Sequence, residues 1–161
     1  MTMSDRVQAL RDAFDRTFAE APSGGTQRGE IALAIRIADD AYALPLAPHI
    51  ATVVKVPRIV PLPGGSAQQL GVAGVRGTLA IVFSLPELLG YGRTGEPAWL
   101  ATLTGKPNAA LAFDRIEGQI DLAAHPLARG TTTGGRRHVA GVIGTSPPRA
   151  LIDISSILER L

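Results

Sequence analysis

The sequence predicts a mostly β protein, built from short strands in small barrels or a sandwich. Only 4% of its 161 residues are aromatic, whereas glycine (18) and proline (12) are plentiful. From residue 30 onward, larger apolar residues recur at period two, as they do in strands with a buried face. Clusters of turn-forming residues separate the short apolar runs about every ten residues, which is typical of barrels and sandwiches rather than of helical bundles.

The first part of the chain follows a helical pattern instead. Residues 4–21 carry apolar side chains at spacings of three and four, which predicts one amphipathic helix. Its apolar stripe, which packs either on the domain or on a partner, consists of Val7, Leu10, Phe14 and Phe18. Residues 22–25 read Pro-Ser-Gly-Gly and end the helix as a linker. We therefore divide the chain into an N-terminal helix with its linker, residues 1–25, and a β domain, residues 26–161.

The β domain opens with a predicted strand that buries one face. Its larger residues Ile31, Leu33, Ile35 and Ile37 alternate with Ala32, Ala34, Arg36 and Ala38. Asp39 and Asp40 follow, and they favour a hairpin turn because an Asp side chain can bond to its own backbone. Pro45 cannot donate a hydrogen bond to a ladder, so we expect it at a strand end or a sheet edge.

Seven further strands and two short helices complete the prediction. A helix is expected over residues 86–89 after Ser84, and another over residues 156–161, where Ser156 and Glu159 have capping-box spacing. The polar, Gly-rich residues 125–137 are expected to form a loop. The predicted strands cover residues 51–56, 70–75, 78–83, 99–104, 109–113, 139–143 and 150–154.

Composition removes several classes of function. The chain has no cysteine, which excludes disulfides, thiolate nucleophiles and Cys-based metal sites. His49, His125 and His138 are far apart and show no metal-binding spacing, so no metal or other cofactor is expected. The net charge is only +2, and the one dense basic cluster, residues 136–138, is typical of a solvated loop. No secretory signal and no long apolar span is recognised, so a cytoplasmic location without membrane insertion is expected.

No set of residues forms a recognisable active site. The glycine-rich residues 71–77 lead into a predicted strand rather than a helix, which indicates a turn and not a phosphate-binding loop. A nucleophile elbow is absent. Asp114 and Asp153 follow apolar strands, where capping and turn roles are more common than catalysis.

Five short blocks, in order, resemble the CheW-like domain family. Residues 70–85 are similar to its G-V-x-N-L-R-G motif, which is followed by an apolar strand and D-L. The other similar blocks are residues 42–46 (Y-A-L-P-L), 60–64 (V-P-L-P-G), 111–116 (L-A-F-D-R-I) and 151–154 with 157–158. Together they extend over most of the chain.

The resemblance implies a fold of two five-stranded SH3-like barrels packed side by side. It also implies a non-catalytic adaptor that couples chemoreceptor-type sensors to a CheA-type histidine kinase in bacterial chemotaxis or motility signalling. The implied partners are the regulatory domain of that kinase and the cytoplasmic tip of a methyl-accepting chemoreceptor, with neither nucleic acid nor a cofactor. Carried over from the family motif, the implied partner-binding residues are Gly71, Arg76 and Gly77.

This sequence departs from the family pattern at four places. Gly74 replaces the family Asn, Ile81 replaces a Pro, and Ser84 replaces the Asp before Leu85. The acidic residue expected shortly after Y-A-L-P-L has no counterpart in residues 49–52. The receptor-binding surface is therefore expected to be altered more than the kinase-binding surface.

Two functions of other classes remain as alternatives. A nucleic-acid-binding small β-barrel would need basic residues interleaved with aromatic side chains on which bases stack. A hydrolase with its site in a cleft between the two lobes would need a pair of groups that titrate near neutral pH.

Overall fold

The computed structural model describes residues 30–129 and 137–161, which form two β-sheets and a few short helices. The strands are β1 (Ile31–Ile37), β2 (Asp40–Pro45), β3 (Ile50–Lys55), β4 (Gln69–Val75), β5 (Thr78–Ser84), β6 (Trp99–Leu103), β7 (Ala109–Phe113), β8 (Arg115–Asp121), β9 (Leu127–Ala128), β10 (Val139–Ile143) and β11 (Arg149–Ile152). The helices are α1 (Leu85–Leu88) and α2 (Ile154–Leu158), with a 3-10 turn at Leu122–Ala124. The helix predicted for residues 4–21 and the boundary at residue 25 lie outside the described residues.

The two sheets differ in size. The first has six strands in the order β8-β1-β2-β11-β10-β9, and the second has five in the order β3-β6-β7-β5-β4. The resemblance implied five strands in each, and the first sheet gains its sixth because the two-residue β9 pairs with β10. All neighbouring strands are antiparallel except β2 with β11 and β5 with β7.

The five-stranded sheet curls until its two edge strands approach each other. Val54 of β3 packs against the same buried cluster as Ala73 and Val75 of β4, although three strands separate β3 from β4 in the sheet. In a flat sheet, β3 and β4 would be four strand spacings of about 4.8 Å apart, which is too far for their side chains to share one cluster. The curl explains why residues of β3 and β4 line common grooves.

The largest hydrophobic core lies between the two sheets. Strands from both sheets send their larger side chains into it, as do α1 and α2. Smaller side chains on the opposite faces of these strands fill a separate cluster within each sheet. This division of large and small residues accounts for the alanine-rich, aromatic-poor composition. The central members are Ile35, Ile37, Leu44, Leu85, Leu88, Leu103, Leu111, Phe113, Ile154 and Ile157.

The prediction that β1 buries one face is wrong. Ala32 and Ala34 are 0% and 6% exposed, whereas Ile31, assigned to the buried face, is 42% exposed. The strand is buried on both sides because it separates the inter-sheet core from the small-residue core of its own sheet. A strand buried on both faces has no solvent-exposed face, so its sequence does not need to alternate between apolar and polar residues.

Most other elements agree with the sequence prediction. The hairpin after β1 turns at Ala38 and Asp39, and Asp40 begins β2. Residues Leu85–Leu88 form α1 with Ser84 as its N-cap. In α2 the N-cap is Asp153, whose carboxylate accepts a hydrogen bond from the backbone of Ser156, so the predicted cap at Ser156 is three residues late. Strands β8 and β9 were not predicted.

A buried arginine of β11 bonds to three other strands of the six-stranded sheet. Arg149 of β11 is 8% exposed, and it donates to the carbonyl oxygens of Ile35 in β1 at 3.1 Å and Tyr42 in β2 at 3.3 Å. It also forms a 2.6 Å ion pair with Glu117 of β8. Glu117 binds the more exposed Arg36 at 2.7 Å as well, and the two guanidinium groups lower the pKa of its carboxyl group.

Candidate functional site

The predicted partner-binding residues Arg76 and Gly77 form the turn between β4 and β5. Their φ angles are +48° and +80°, the pattern of a type I′ hairpin turn, and Val75 pairs with Thr78 across it. Asn and Asp are favoured at the first of these positions, so an arginine with positive φ is unusual there. Both turn residues are exposed, and among the described residues Arg76 has no hydrogen-bond or ion-pair partner. Within the described chain, this turn therefore presents an exposed guanidinium group that no other residue neutralises.

Gly71 lies at the other end of β4 and has a different environment. It is buried with a φ of +147°, and a Cβ atom there would lie 2.2 Å from the carbonyl oxygen of Val60. Val60 and Val72 bond to each other through two backbone hydrogen bonds of 2.8 Å. The close approach that only glycine permits at this position is therefore made by the chain's own residues near Val60. A partner contact at Gly71 stays a prediction.

An exposed leucine accompanies Arg76 on the hairpin. Leu79 is 70% exposed, the most of any large apolar side chain in the described residues, and it pairs with Gly74 across the ladder. Gly74 is itself exposed and has no side chain that could cover Leu79. Sequence reasoning did not single out Leu79, because a continuous apolar run does not show which residue faces solvent.

A groove of about 250 Å³ opens beside the turn, where the edges of the curled sheet approach each other. Buried apolar side chains such as Ala80 and Leu103 form part of its wall, and Arg76 is the only charged residue that lines it within the described chain. Ala51 and Thr52 line it from β3, at the place where the family pattern has an acidic residue. The charge of Arg76 is therefore not balanced from β3. We call this the Arg76 groove; it is lined by Ala51, Thr52, Val75, Arg76, Thr78, Ala80, Thr102, Leu103 and Pro107.

A second groove, of about 520 Å³, lies at the opposite end of the same pair of edges. Val56, Ile59 and Leu70 contribute apolar surface to it, and Arg93 and Glu96 contribute charges of opposite sign. None of the three predicted partner-binding residues lines this groove.

The histidines do not converge on a metal site. Within residues 30–129 and 137–161, no three His, Asp or Glu side chains are grouped as metal ligands would be. His49 Nε2 lies 3.0 Å from the hydroxyl of Ser155, and His138 Nδ1 lies 2.6 Å from that of Ser156. Both serines belong to α2, so each imidazole forms a hydrogen bond with this helix.

The environment of His138 predicts a pH-dependent stability. Burial lowers its pKa below the usual 6.5, and the nearby charges of Arg160 and Arg137 lower it further against the opposing effect of Asp153. Between this lowered pKa and 6.5 the unfolded chain binds the proton that the folded chain does not, so the free energy of unfolding falls as the pH falls. We expect urea denaturation between pH 7 and pH 5 to show this decrease in the free energy of unfolding. The variant His138→Asn should show a smaller decrease. Asparagine tolerates the φ of +58° at this position. Equal pH dependence in both proteins would contradict the assignment to His138.

The aromatic side chains offer little support for nucleic-acid stacking. Tyr42, Phe83 and Phe113 are each less than 10% exposed, and Tyr91 and Trp99 pack against the inter-sheet core. The interleaved exposed aromatics that the nucleic-acid alternative requires are therefore not found in the described part of the chain.

Comparisons with known proteins agree with this fold. Residues 32–161 match the family model described as CheW-like domain. No curated protein matches the chain. Fifteen chains of solved structures match it, among them that of the scaffolding protein TtCheW from Thermoanaerobacter tengcongensis. The two chains are 20% identical and have a TM-score of 0.64. The match covers 77% of this chain and 88% of the TtCheW chain. At 20% identity, this similarity is evidence for a shared fold.

Membership of the family rests on the extent of the match. The family model covers residues 32–161, which include every strand and helix described above except the first residue of β1. None of those helices is long and apolar enough to cross a membrane. The CheW-like domain family consists of non-catalytic scaffold proteins of chemotaxis signalling. This chain belongs to the CheW-like domain family.

Proposed function

We propose that this chain is a cytoplasmic, non-catalytic adaptor that couples chemoreceptor-type sensors to a CheA-type histidine kinase through the surface around Arg76. Family membership supports the adaptor role. The observation that carries the choice of surface is Arg76 itself, an exposed cation with no partner among residues 30–129 and 137–161, at a turn position that ordinarily favours another residue. A residue held in an unfavourable backbone region, without a partner in the described part of the chain, points to a functional role.

The chemistry of this surface suits a helix that carries carboxylates. The planar guanidinium group of Arg76 can accept a carboxylate in two parallel hydrogen bonds. Leu79 supplies an exposed apolar side chain on the same hairpin. Arginine is enriched among the few side chains that carry most of the binding free energy of protein interfaces.

The departures from the family pattern shape this surface. Gly74 removes the side chain that would stand beside Leu79, and the lack of an acidic residue in 49–52 removes a negative charge that could balance Arg76. The result is a more apolar surface with an unbalanced positive charge. A partner of this chain should therefore present more acidic and more apolar side chains than a partner matched to the family pattern.

Arg76→Glu tests the proposal. The purified variant and the native chain are compared for co-sedimentation with receptor signalling helices and with the kinase regulatory domain of the same organism. We expect affinity for at least one partner to fall about tenfold or more, because the substitution places a like charge opposite the partner's carboxylate. Arg115→Glu, on the exposed β8 of the other sheet, is the matched control and should bind as the native chain does.

The outcomes separate the adaptor role from its location. Equal binding by native chain and Arg76→Glu would keep the adaptor role and exclude this surface. Failure of the folded native chain to bind either partner would exclude the adaptor role itself.

A further inference from the structure

We propose that the N-terminal segment, residues 4–21, docks as an amphipathic helix into the Arg76 groove of its own chain and competes there with the partner. The segment lies outside the described residues, so the argument starts from its sequence and from the groove. Docking within the chain does not depend on the proposed function. The competition does depend on it, and the two are tested by separate measurements.

The groove offers the chemistry that such a segment needs. Apart from Arg76, its lining side chains are apolar or small and polar, and its volume of about 250 Å³ suits one or two large side chains rather than a whole helix. The walls Val75, Ala80 and Leu103 are themselves buried and therefore fixed in place. Because these walls are already ordered, a side chain can bind there without the entropic cost of ordering them.

The chain enters the domain close to this groove. The carbonyl oxygen of Ile31 accepts a 3.0 Å hydrogen bond from the backbone of Leu46, and the carbonyl oxygen of Leu46 accepts a 2.8 Å bond from Ile50. The next residue, Ala51, lines the groove. Two hydrogen-bonded steps and one peptide unit thus separate Ile31 from the groove, a path of less than about 20 Å.

The sequence before this entry point can complete the contact. Residues 22–30 can span about 30 Å when extended, which exceeds the path from Ile31 to the groove. Phe14 and Phe18 are the largest side chains of the apolar stripe and are one helical turn apart, so both can face one groove. Asp15 directly follows Phe14 and supplies a carboxylate for Arg76.

Docking is tested on the full chain by backbone amide chemical shifts. We compare the native chain with the double variant Phe14→Asp/Phe18→Asp, which removes the largest apolar groups of the stripe without shortening the chain. The matched control is Arg16→Asp, which adds one acidic residue on the helix face opposite the stripe. We expect the double variant, and not the control, to shift the amides of Ala51, Thr78 and Thr102 in the groove.

Other patterns of chemical shift overturn the inference. No shifts in the groove, or shifts confined to another surface, mean that the segment does not dock there. Groove shifts that disappear on dilution mean that the segment binds a second copy of the chain, which excludes docking in cis. A mixture of isotope-labelled and unlabelled chains checks this point directly.

The competition has its own readout. If docking blocks the partner, the double variant binds its partner about tenfold more tightly than the native chain, whereas Arg16→Asp does not. If the amide shifts show docking but the native chain and the double variant bind the partner equally tightly, the competition is wrong and the docking stands. Absence of any partner binding would count against the proposed function, whatever the amide shifts show.

Discussion

Gly71→Ala is expected to destabilise the domain by about 3 kcal/mol or more, a size that marks loss of a specific backbone contact. The new methyl group would lie 2.2 Å from the carbonyl oxygen of Val60 and 2.7 Å from its carbonyl carbon. Neither atom belongs to a flexible side chain, so the segment carrying Val60 must move and its two hydrogen bonds to Val72 must break. The φ of +147° adds strain for any residue other than glycine. Urea denaturation of native and variant chains measures the difference.

Gly74→Ala is the matched control, since Gly74 lies in the same strand. A Cβ atom at Gly74 meets no other heavy atom within 4 Å, and its φ is not in the left-handed region. We expect its free energy of unfolding to stay within about 0.5 kcal/mol of the native value. Comparable losses in the two variants would show that glycine in β4 matters for backbone freedom in general and not for the approach of Val60.

Arg149→Met is expected to cost about 2–3 kcal/mol, because it removes charge-assisted hydrogen bonds from a buried position while nearly keeping the side-chain volume. Arg149 bonds to two carbonyl oxygens, on β1 and β2, and to the carboxylate of Glu117 on β8. Its loss also leaves Glu117 with one fewer positive partner. Chemical denaturation at pH 7 gives the size of the loss.

Arg36→Met removes the other partner of the same carboxylate. Arg36 is more exposed than Arg149, and water can replace its contact with Glu117, so we expect a clearly smaller loss. Added salt should reduce the difference in the free energy of unfolding between the native chain and Arg36→Met. The corresponding difference for Arg149→Met should change less. A larger effect at Arg36 than at Arg149 would contradict the central role of the buried guanidinium group.

The fold could be predicted largely from periodicity and turn chemistry. β7 and β10 have the predicted bounds, and α1 begins one residue before its predicted start at residue 86. The failures have two physical reasons. Strands buried on both faces, such as β1, do not alternate in polarity, and exposed edge strands such as β8 have too few apolar residues to show a period.

The candidate site was only partly visible in the sequence. The glycine pattern of residues 71–77 located the hairpin turn, and the family motif singled out Arg76. The contact between Gly71 and Val60 could not be predicted, because it depends on how the connection before β4 folds back onto that strand. The exposure of Leu79 depends likewise on its cross-strand neighbour, which is set by strand register.

The strand order has a consequence for synthesis on the ribosome. The five-stranded sheet is continuous in sequence, from Ile50 to Phe113, whereas β2 must pair with β11 near the end of the chain. Arg149 follows Tyr42, to which it bonds, by 107 residues. At about 5–20 residues per second, the β1–β2 hairpin waits roughly 5–20 s for that partner. During this interval β2 lacks one of its two neighbouring strands, so its unpaired backbone edge is open to pairing with other chains until β11 is made.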